Sequence, residues 1–238
     1  MKIRMAELNV EIHNRYPYLE RLCEGYHADF EQADIVVEIS PEEIAKEVSE
    51  AQTPTPPTPG YAEAICVYRS IAQQLPHFSA FVFHAAVIEH EGRGYAFSAK
   101  SGTGKSTHIS LWKEVFGDGV CVINGDKPIL RFLDGKLWAF GTPWCGKERM
   151  QANKGTPLTA LCFIERGKEN AIAPIDNAVA VQRLFFQILM PSDRAAALLF
   201  LDLLDRTVRE LPTYLLSCNM EPEAALVAYR GMNKGEDQ

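Results

Sequence analysis

The chain has no Cys-x-x-Cys pair, no histidine near a cysteine at zinc spacing, no basic excess and no apolar run long enough to span a bilayer. Each absence removes a class of function. The six cysteines (Cys23, Cys66, Cys121, Cys145, Cys162 and Cys218) are scattered, several of them in apolar strand-like runs. That pattern reads as buried free thiols rather than a disulfide frame or a metal knuckle. A net charge of −7 argues against general nucleic-acid binding, which draws on a surplus of lysine and arginine. The opening residues, Met1 to Glu7, lack the apolar centre of a secretory signal. These features point to a reduced, cytoplasmic protein with no membrane and no nucleic acid among its partners. No internal repeat is visible. What is there is ordinary globular usage, 47% hydrophobic and 23% charged over 238 residues, enough to bury a core without staples.

Taken in order, the chain opens with a small strand and helix region, residues 1–50. Ile3, Met5, Leu8, Val10 and Ile12 alternate as a strand does, and residues 34–39 suggest another. Between them residues 18–23 read as a short helix. Ser40-Pro41-Glu42-Glu43 opens a helix with Ser40 as N-cap and Pro41 at the first position. Residues 51–60, with four prolines, read as an extended connector or a long surface loop. From 61 to 232 the pattern is one α/β domain with a mixed sheet. It has a helix from Tyr61 to Leu75, a strand over residues 81–90, and a strand feeding a glycine loop before a helical stretch, His108 to Phe116. Strands follow at 119–123 and 127–133, with an Asp134-Gly135 hairpin into 136–140, and another at 158–164. The C-terminal part is helical, over 179–189 and 192–210 with Ser192 as N-cap, then a strand at 213–218, a helix at 221–229, and a polar end from Gly231 that reads as frayed.

The glycine loop organises the domain. An aromatic strand run, Tyr95-Ala96-Phe97-Ser98, leads into Ala99-Lys100-Ser101-Gly102-Thr103-Gly104-Lys105-Ser106-Thr107. Gly102 and Gly104 remove side chains, so that backbone N–H groups of Ser101 to Thr107 can converge on an anion at the positive end of the next helix. Lys105 would reach the β- and γ-phosphates, and the Ser106 hydroxyl would bind Mg²⁺. This predicts a nucleoside triphosphate, with ATP and Mg²⁺ as cofactors. Ala99 stands where the usual pattern has its first glycine.

Metal ligation and proton handling need further groups. Asp126 follows the apolar strand 119–123, about where a second magnesium ligand belongs, although Asn124-Gly125-Asp126 is also an ordinary turn. His84 lies one strand before the loop strand, where a hairpin brings it beside the phosphates, or where it is simply a satisfied core residue. Arg131, Trp144 and Lys147 are candidates for substrate contact, by clamping phosphate or stacking; Arg131 and Trp144 read equally as solvated charge or a half-buried ring, while the glycine flanking Lys147 suits a close backbone approach and favours it.

Residues 83–106, from Phe83-His84 to Gly104-Lys105-Ser106, resemble the core of the HPr kinase/phosphorylase and ATP-dependent phosphoenolpyruvate carboxykinase superfamily. Residues 123–130, the 141–147 loop and residues 211–218 are similar to small HPr-kinase-like bacterial proteins. The resemblance implies that fold and ATP-dependent phosphoryl transfer. It makes Lys105 the phosphate lysine, Ser106 and Asp126 the magnesium ligands, and His84 a group at the γ-phosphate or the metal. The family's acidic pair is Asp-Asp, and its first member here is Gly125. That position handles the acceptor proton in HPr kinases, so the task falls to His84, to Asp126 itself or to no strong base, with His84 having the better claim, and Gly125→Asp is expected to be tolerated or to raise activity. The chain is about half the length of the carboxykinases, which argues against that reaction. The leading expectation is a kinase acting on a hydroxyl, of a serine in a protein or peptide or of a small metabolite. A nucleotide-binding regulatory protein with little turnover is the alternative, followed by an HPr-type phosphorylase or phosphatase. A homo-oligomer is compatible with all three.

Overall fold

The computed structural model describes residues 1–233, so the expected fraying from Gly231 lies largely outside the described residues. The N-terminal region is a three-stranded sheet: β1 (Lys2–Met5), β2 (Leu8–His13) and, after α1 (Tyr18–Leu22), β3 (Ile35–Glu38), parallel to β2. The alternating run read as one strand is a hairpin. Ala6 and Glu7 turn it at φ 52° and 57°, the left-handed pair that matches strand twist. Because the turn has two residues, Ile3, Met5, Leu8, Val10 and Ile12 all stay buried, and the shift of the apolar positions from odd to even between Met5 and Leu8 is the trace that the reversal leaves in the sequence. Helix α2 (Pro41–Glu50) starts in a capping box: Ser40 Oγ accepts from Glu43 N at 3.2 Å and Glu43 Oε2 from Ser40 N at 2.9 Å.

Helix α3 (Pro59–Gln74) begins two residues before the expected Tyr61, with Thr58 as N-cap. It turns Ala62, Ala64, Val67 and Ile71 onto the N-terminal sheet, in a core that continues into Ala80, Val82, Ile129 and Phe140. Its buried Glu63 accepts the backbone N–H groups of Arg15 at 2.6 Å and Tyr16 at 3.1 Å. That pairing is what makes a buried carboxylate tolerable.

The larger sheet has nine strands. They are β4 (Ala80–Val82), β5 (Ala86–His90), β6 (Arg93–Ser98), then, after α4 (Lys105–Phe116), β7 (Val120–Asn124), β8 (Ile129–Leu133), β9 (Lys136–Phe140), β10 (Gly155–Arg166) and β11 (Ala171–Pro174). Helices α5 (Asn177–Phe185) and α6 (Arg194–Glu210) precede β12 (Thr213–Cys218), and α7 (Glu223–Met232) closes the described chain. The order is β4-β8-β9-β10-β6-β5-β7, with β12 beside β10 and β11 beyond β12. Strand β10 is the spine: its first residues pair antiparallel with β9, while its second half runs parallel to β6 and β12. The sheet is mixed, as expected.

Alternating side chains send Phe163, Val87 and Ala96 toward α5 and α6, and Phe97, Ile88 and Cys162 toward α4 and α7. The sheet is thus covered on both faces. On α4, Trp112 Nε1 donates to His108 Nε2 at 3.0 Å, and burial pulls the His108 pKa down to about 4, a neutral core histidine. All six cysteines are free thiols, and burial pushes Cys23 up to about 12. No helix among the described residues is long and apolar enough to cross a membrane.

Three boundaries differ from expectation. The α6 N-cap is Asp193, whose Oδ2 accepts from Ala196 N at 2.8 Å, while Ser192 is held by Gln73. The helix expected over 179–189 ends at Phe185. Most important, the strand expected over 81–90 is two strands, broken at Phe83-His84-Ala85.

Candidate functional site

The break places His84. Strand β4 pairs with β8 while β5 pairs with β6 and β7, so the chain steps between two parts of the sheet. Across the step Phe83 N donates to Pro128 O, His84 N to Gln187 O at 2.8 Å, and Ala85 N to Asp126 O. These bonds satisfy backbone that has left the ladder. They also tie two sequence-distant segments, residues 126–128 and Gln187, to the break that carries the histidine.

The glycine loop runs from the end of β6 at Ser98 to the start of α4 at Lys105. Gly102 and Gly104 sit at φ 76° and 130°, where any side chain would be strained. Helix α4 has no side-chain N-cap, so its first-turn N–H groups remain available to a ligand. Ser101, Gly102 and Thr107 are exposed, and Thr103, Gly104 and Ser106 half-buried. Arg166, at the end of β10, donates to Gly102 O at 2.6 Å and Thr103 O at 3.2 Å. It draws loop carbonyls toward itself, away from any anion held by the N–H groups.

The Lys105 ammonium is turned into the fold rather than out to solvent. The residue is 9% exposed, and Nζ donates to Ala99 O at 3.1 Å and lies 3.0 Å from His84 Nε2. Burial lowers its pKa, Asp126 opposes that, and Lys127 adds to the lowering.

Asp126 completes the group. Its Oδ1 lies 3.1 Å from His84 Nε2 and its Oδ2 2.5 Å from Lys127 Nζ. Burial acts to raise its pKa, but hydrogen bonds from His84 and Lys127 outweigh it and bring the carboxyl down to about 2. Asn124, fully buried, shapes the turn: Oδ1 accepts from the N–H groups of Asp126 and Lys127, and Nδ2 donates to Thr142 O at 3.0 Å. Asp126 therefore leaves β7 at a direction fixed by a buried amide.

Gly125 lies in a tight place. A Cβ there would lie 3.0 Å from Cys145 O and 3.4 Å from Met150 O. Added carboxylate oxygens would enter a space lined by carbonyl oxygens. A side chain at Gly125 therefore needs the backbone at Cys145 to give by a few tenths of an ångström, which weighs against the expected tolerance of Gly125→Asp without deciding it.

The structure thus brings His84, Lys105 and Asp126 together beside the glycine loop. It puts two of the substrate candidates to other uses. Arg131 donates to Phe78 O and Ala6 O, clamping the N-terminal hairpin to the sheet. Trp144 Nε1 donates to Ala64 O at 3.1 Å and its ring lies 5.6 Å from that of Tyr68, so it packs against α3. Lys147 is exposed on a loop that passes close over Asp126: a Cβ at Gly146 would sit 3.2 Å from the Asp126 Cβ.

Sequence reasoning missed Asn124, Lys127, Arg166 and Gln187. Asn124 and Lys127 flank Asp126 and could have been drawn from it. Gln187 Oε1, 2.8 Å from His84 Nδ1, carries no local signal, being 103 residues away. It lines, with Arg166, Arg183 and Phe186, a cleft of about 550 Å³ along residues 98–103 of the loop.

Chemically, the site offers backbone donors and an ammonium for an anion, one ionised carboxylate and one imidazole. Ser106 and Asp126 supply hard oxygen donors for a cation. Among the described residues no cluster of three His, Cys, Asp or Glu could hold a metal alone.

No family model matches the chain, and no curated protein sequence does. Among solved structures, the Hpr(Ser) kinase/phosphatase from Coxiella burnetii is similar at a TM-score of 0.30 and 14% identity, over 54% of this chain and 90% of that one. That likeness is too slight to carry an argument about fold or function.

Proposed function

We propose that the chain is a Mg²⁺/ATP-dependent phosphotransferase that moves a γ-phosphoryl group to a hydroxyl, of a serine in a protein or peptide or of a small metabolite. The observation that carries this reading is the meeting of Lys105, His84 and Asp126, with His84 Nε2 3.0 Å from Lys105 Nζ and 3.1 Å from Asp126 Oδ1. The likeness of the 83–106 motif to the HPr kinase and carboxykinase superfamily supports the same chemistry.

In this reading the loop N–H groups and the start of α4 hold the β-phosphate, and Lys105 exchanges its contact with Ala99 O for phosphate oxygen. Mg²⁺, when bound, neutralises charge on the β- and γ-oxygens, with Ser106 and Asp126 as its protein ligands. His84 Nε2 takes the proton of the acceptor hydroxyl. The acceptor oxygen bonds to the γ-phosphorus as the bond to the β–γ bridging oxygen breaks, releasing ADP. Asp126, held ionised, orients His84 and balances the imidazolium that forms. Rate comes chiefly from positioning and charge neutralisation.

Calorimetry of Mg·ATP binding to the wild type and to Lys105→Met tests the nucleotide site. Methionine preserves most of the buried volume, and a melting curve checks that the variant is folded. A loss of at least about tenfold in affinity is expected for removal of a charge-assisted contact; equal affinity in a folded variant refutes the assignment. The crowded Gly125 favours one other reading, a nucleotide-binding regulator with little turnover. Assaying phosphoryl transfer against a panel of hydroxyl acceptors separates the two.

A further inference from the structure

We infer that the outer face of α6 is where two copies of this chain pair, helix against antiparallel helix, about a two-fold axis at Leu198. Helix α6 turns Ala196, Phe200, Leu203, Leu204, Thr207 and Val208 into the domain. Its other side leaves Leu198, Leu199 and Leu201 in the open, with Leu198 at 58% exposed. A lone exposed leucine is ordinary on a monomer, but three within four residues make a contiguous apolar strip, which marks a contact surface.

The charges around the strip identify its partner. Toward the end of α6 they pair within the helix: Arg206 Nε donates to Glu210 Oε1 at 2.7 Å, and Arg209 pairs with Asp205. Arg194 and Asp202 differ. Both are exposed, and neither side chain has a polar partner among the described residues. They stand four residues before and four after Leu198, so a base, a leucine and an acid follow one another along one i, i+4 ridge. Such a ridge is complementary to its own reverse. Four residues rise about 6 Å. With Leu198 against the partner's Leu198, Arg194 therefore comes level with the partner's Asp202, and Asp202 with the partner's Arg194. Ala195 comes level with the partner's Leu201, a small residue opposite a large one. Parallel pairing in register would set like charges together. A foreign protein gives no reason for this symmetry about Leu198; a second copy does. None of these residues belongs to the glycine-loop site, so the inference stands or falls apart from the phosphotransferase reading.

Sedimentation equilibrium of the full-length protein tests it. One helix pair is small beside a standard interface of about 1,600 Å², so a weak, reversible dimer is expected, and the chain is examined over roughly 5–500 µM. Leu198→Lys, which sets two ammonium groups against each other on the axis, is expected to be monomeric throughout, with an unchanged melting temperature because the site is exposed. Arg194→Glu and Asp202→Lys, each of which turns both cross-pairs into repulsions, are each expected to weaken the dimer about tenfold or more. The double variant Arg194→Glu/Asp202→Lys exchanges the charges across the axis and is expected to restore wild-type association. A wild type monomeric over the whole range overturns the inference and leaves the strip to a different protein. A dimer that survives in folded Leu198→Lys overturns it in favour of another face. Failure of the double variant to recover what the single ones lose overturns the antiparallel two-fold at Leu198.

Discussion

Replacing Asp126 with asparagine isolates the charge at the centre of the site. The wild-type carboxyl moves from an ordinary value of 3.8 to about 2 on folding, because hydrogen bonds from His84 and Lys127 overcome the opposing effect of burial. Its side chain is 24% exposed, so screening by water is partial. A group whose pKa falls on folding contributes stability above its unfolded pKa and loses it as pH falls through the folded one. The shift corresponds to about 2 kcal/mol at pH 7, falling to about 1 kcal/mol at pH 3, where the unfolded carboxyl is already mostly protonated. The asparagine amide would keep the shape and remove that term. Urea unfolding of wild type and Asp126→Asn, at pH 7 and again at pH 3, is expected to show the gap between them narrowing by about 1 kcal/mol. A gap independent of pH over that range would mean that Lys127 and His84 do not hold the carboxylate, and the site geometry would be refuted.

His84→Ala is expected to lower turnover about 10²–10⁴-fold while changing ATP affinity little, if Nε2 takes the acceptor proton; near-normal turnover on the true acceptor would reduce the histidine to a ground-state contact. Gly125→Asp is expected to lower the melting temperature and to gain no activity, since its Cβ meets Cys145 O at 3.0 Å; a stable, more active variant would show that the 145–150 loop yields easily. Trp144→Ala is expected to destabilise the fold by about 2–3 kcal/mol, below the ~3–5 of a fully buried aromatic, and to leave nucleotide affinity unchanged in calorimetry. Arg166→Ala is expected to weaken Mg·ATP binding several-fold through a less ordered loop, with little change in melting temperature; unaltered affinity would show that the loop holds its shape without it.

The glycine loop was legible in the sequence because its cause is local. A strand run, two glycines that alone tolerate positive φ, and a helix start lie within a dozen residues, and each imposes its own backbone conformation. The same holds for Asp126 at the end of β7 and for the Ser40 capping box. Tertiary structure decided everything that depends on where a segment finds its partners. The apolar run 81–90 cannot announce that β4 joins β8 while β5 joins β6 and β7, yet that split is what turns His84 toward the loop. Lys105 looks like any lysine entering solvent until the fold surrounds it with Ala99, His84 and Asp126. Arg131 and Trp144 are chemically apt for a substrate, but long side chains take the nearest unsatisfied carbonyls, here those of Ala6, Phe78 and Ala64. Gln187 reaches His84 across 103 residues. Spacing carries no trace of such a contact, because only the packed sheet brings its two ends together.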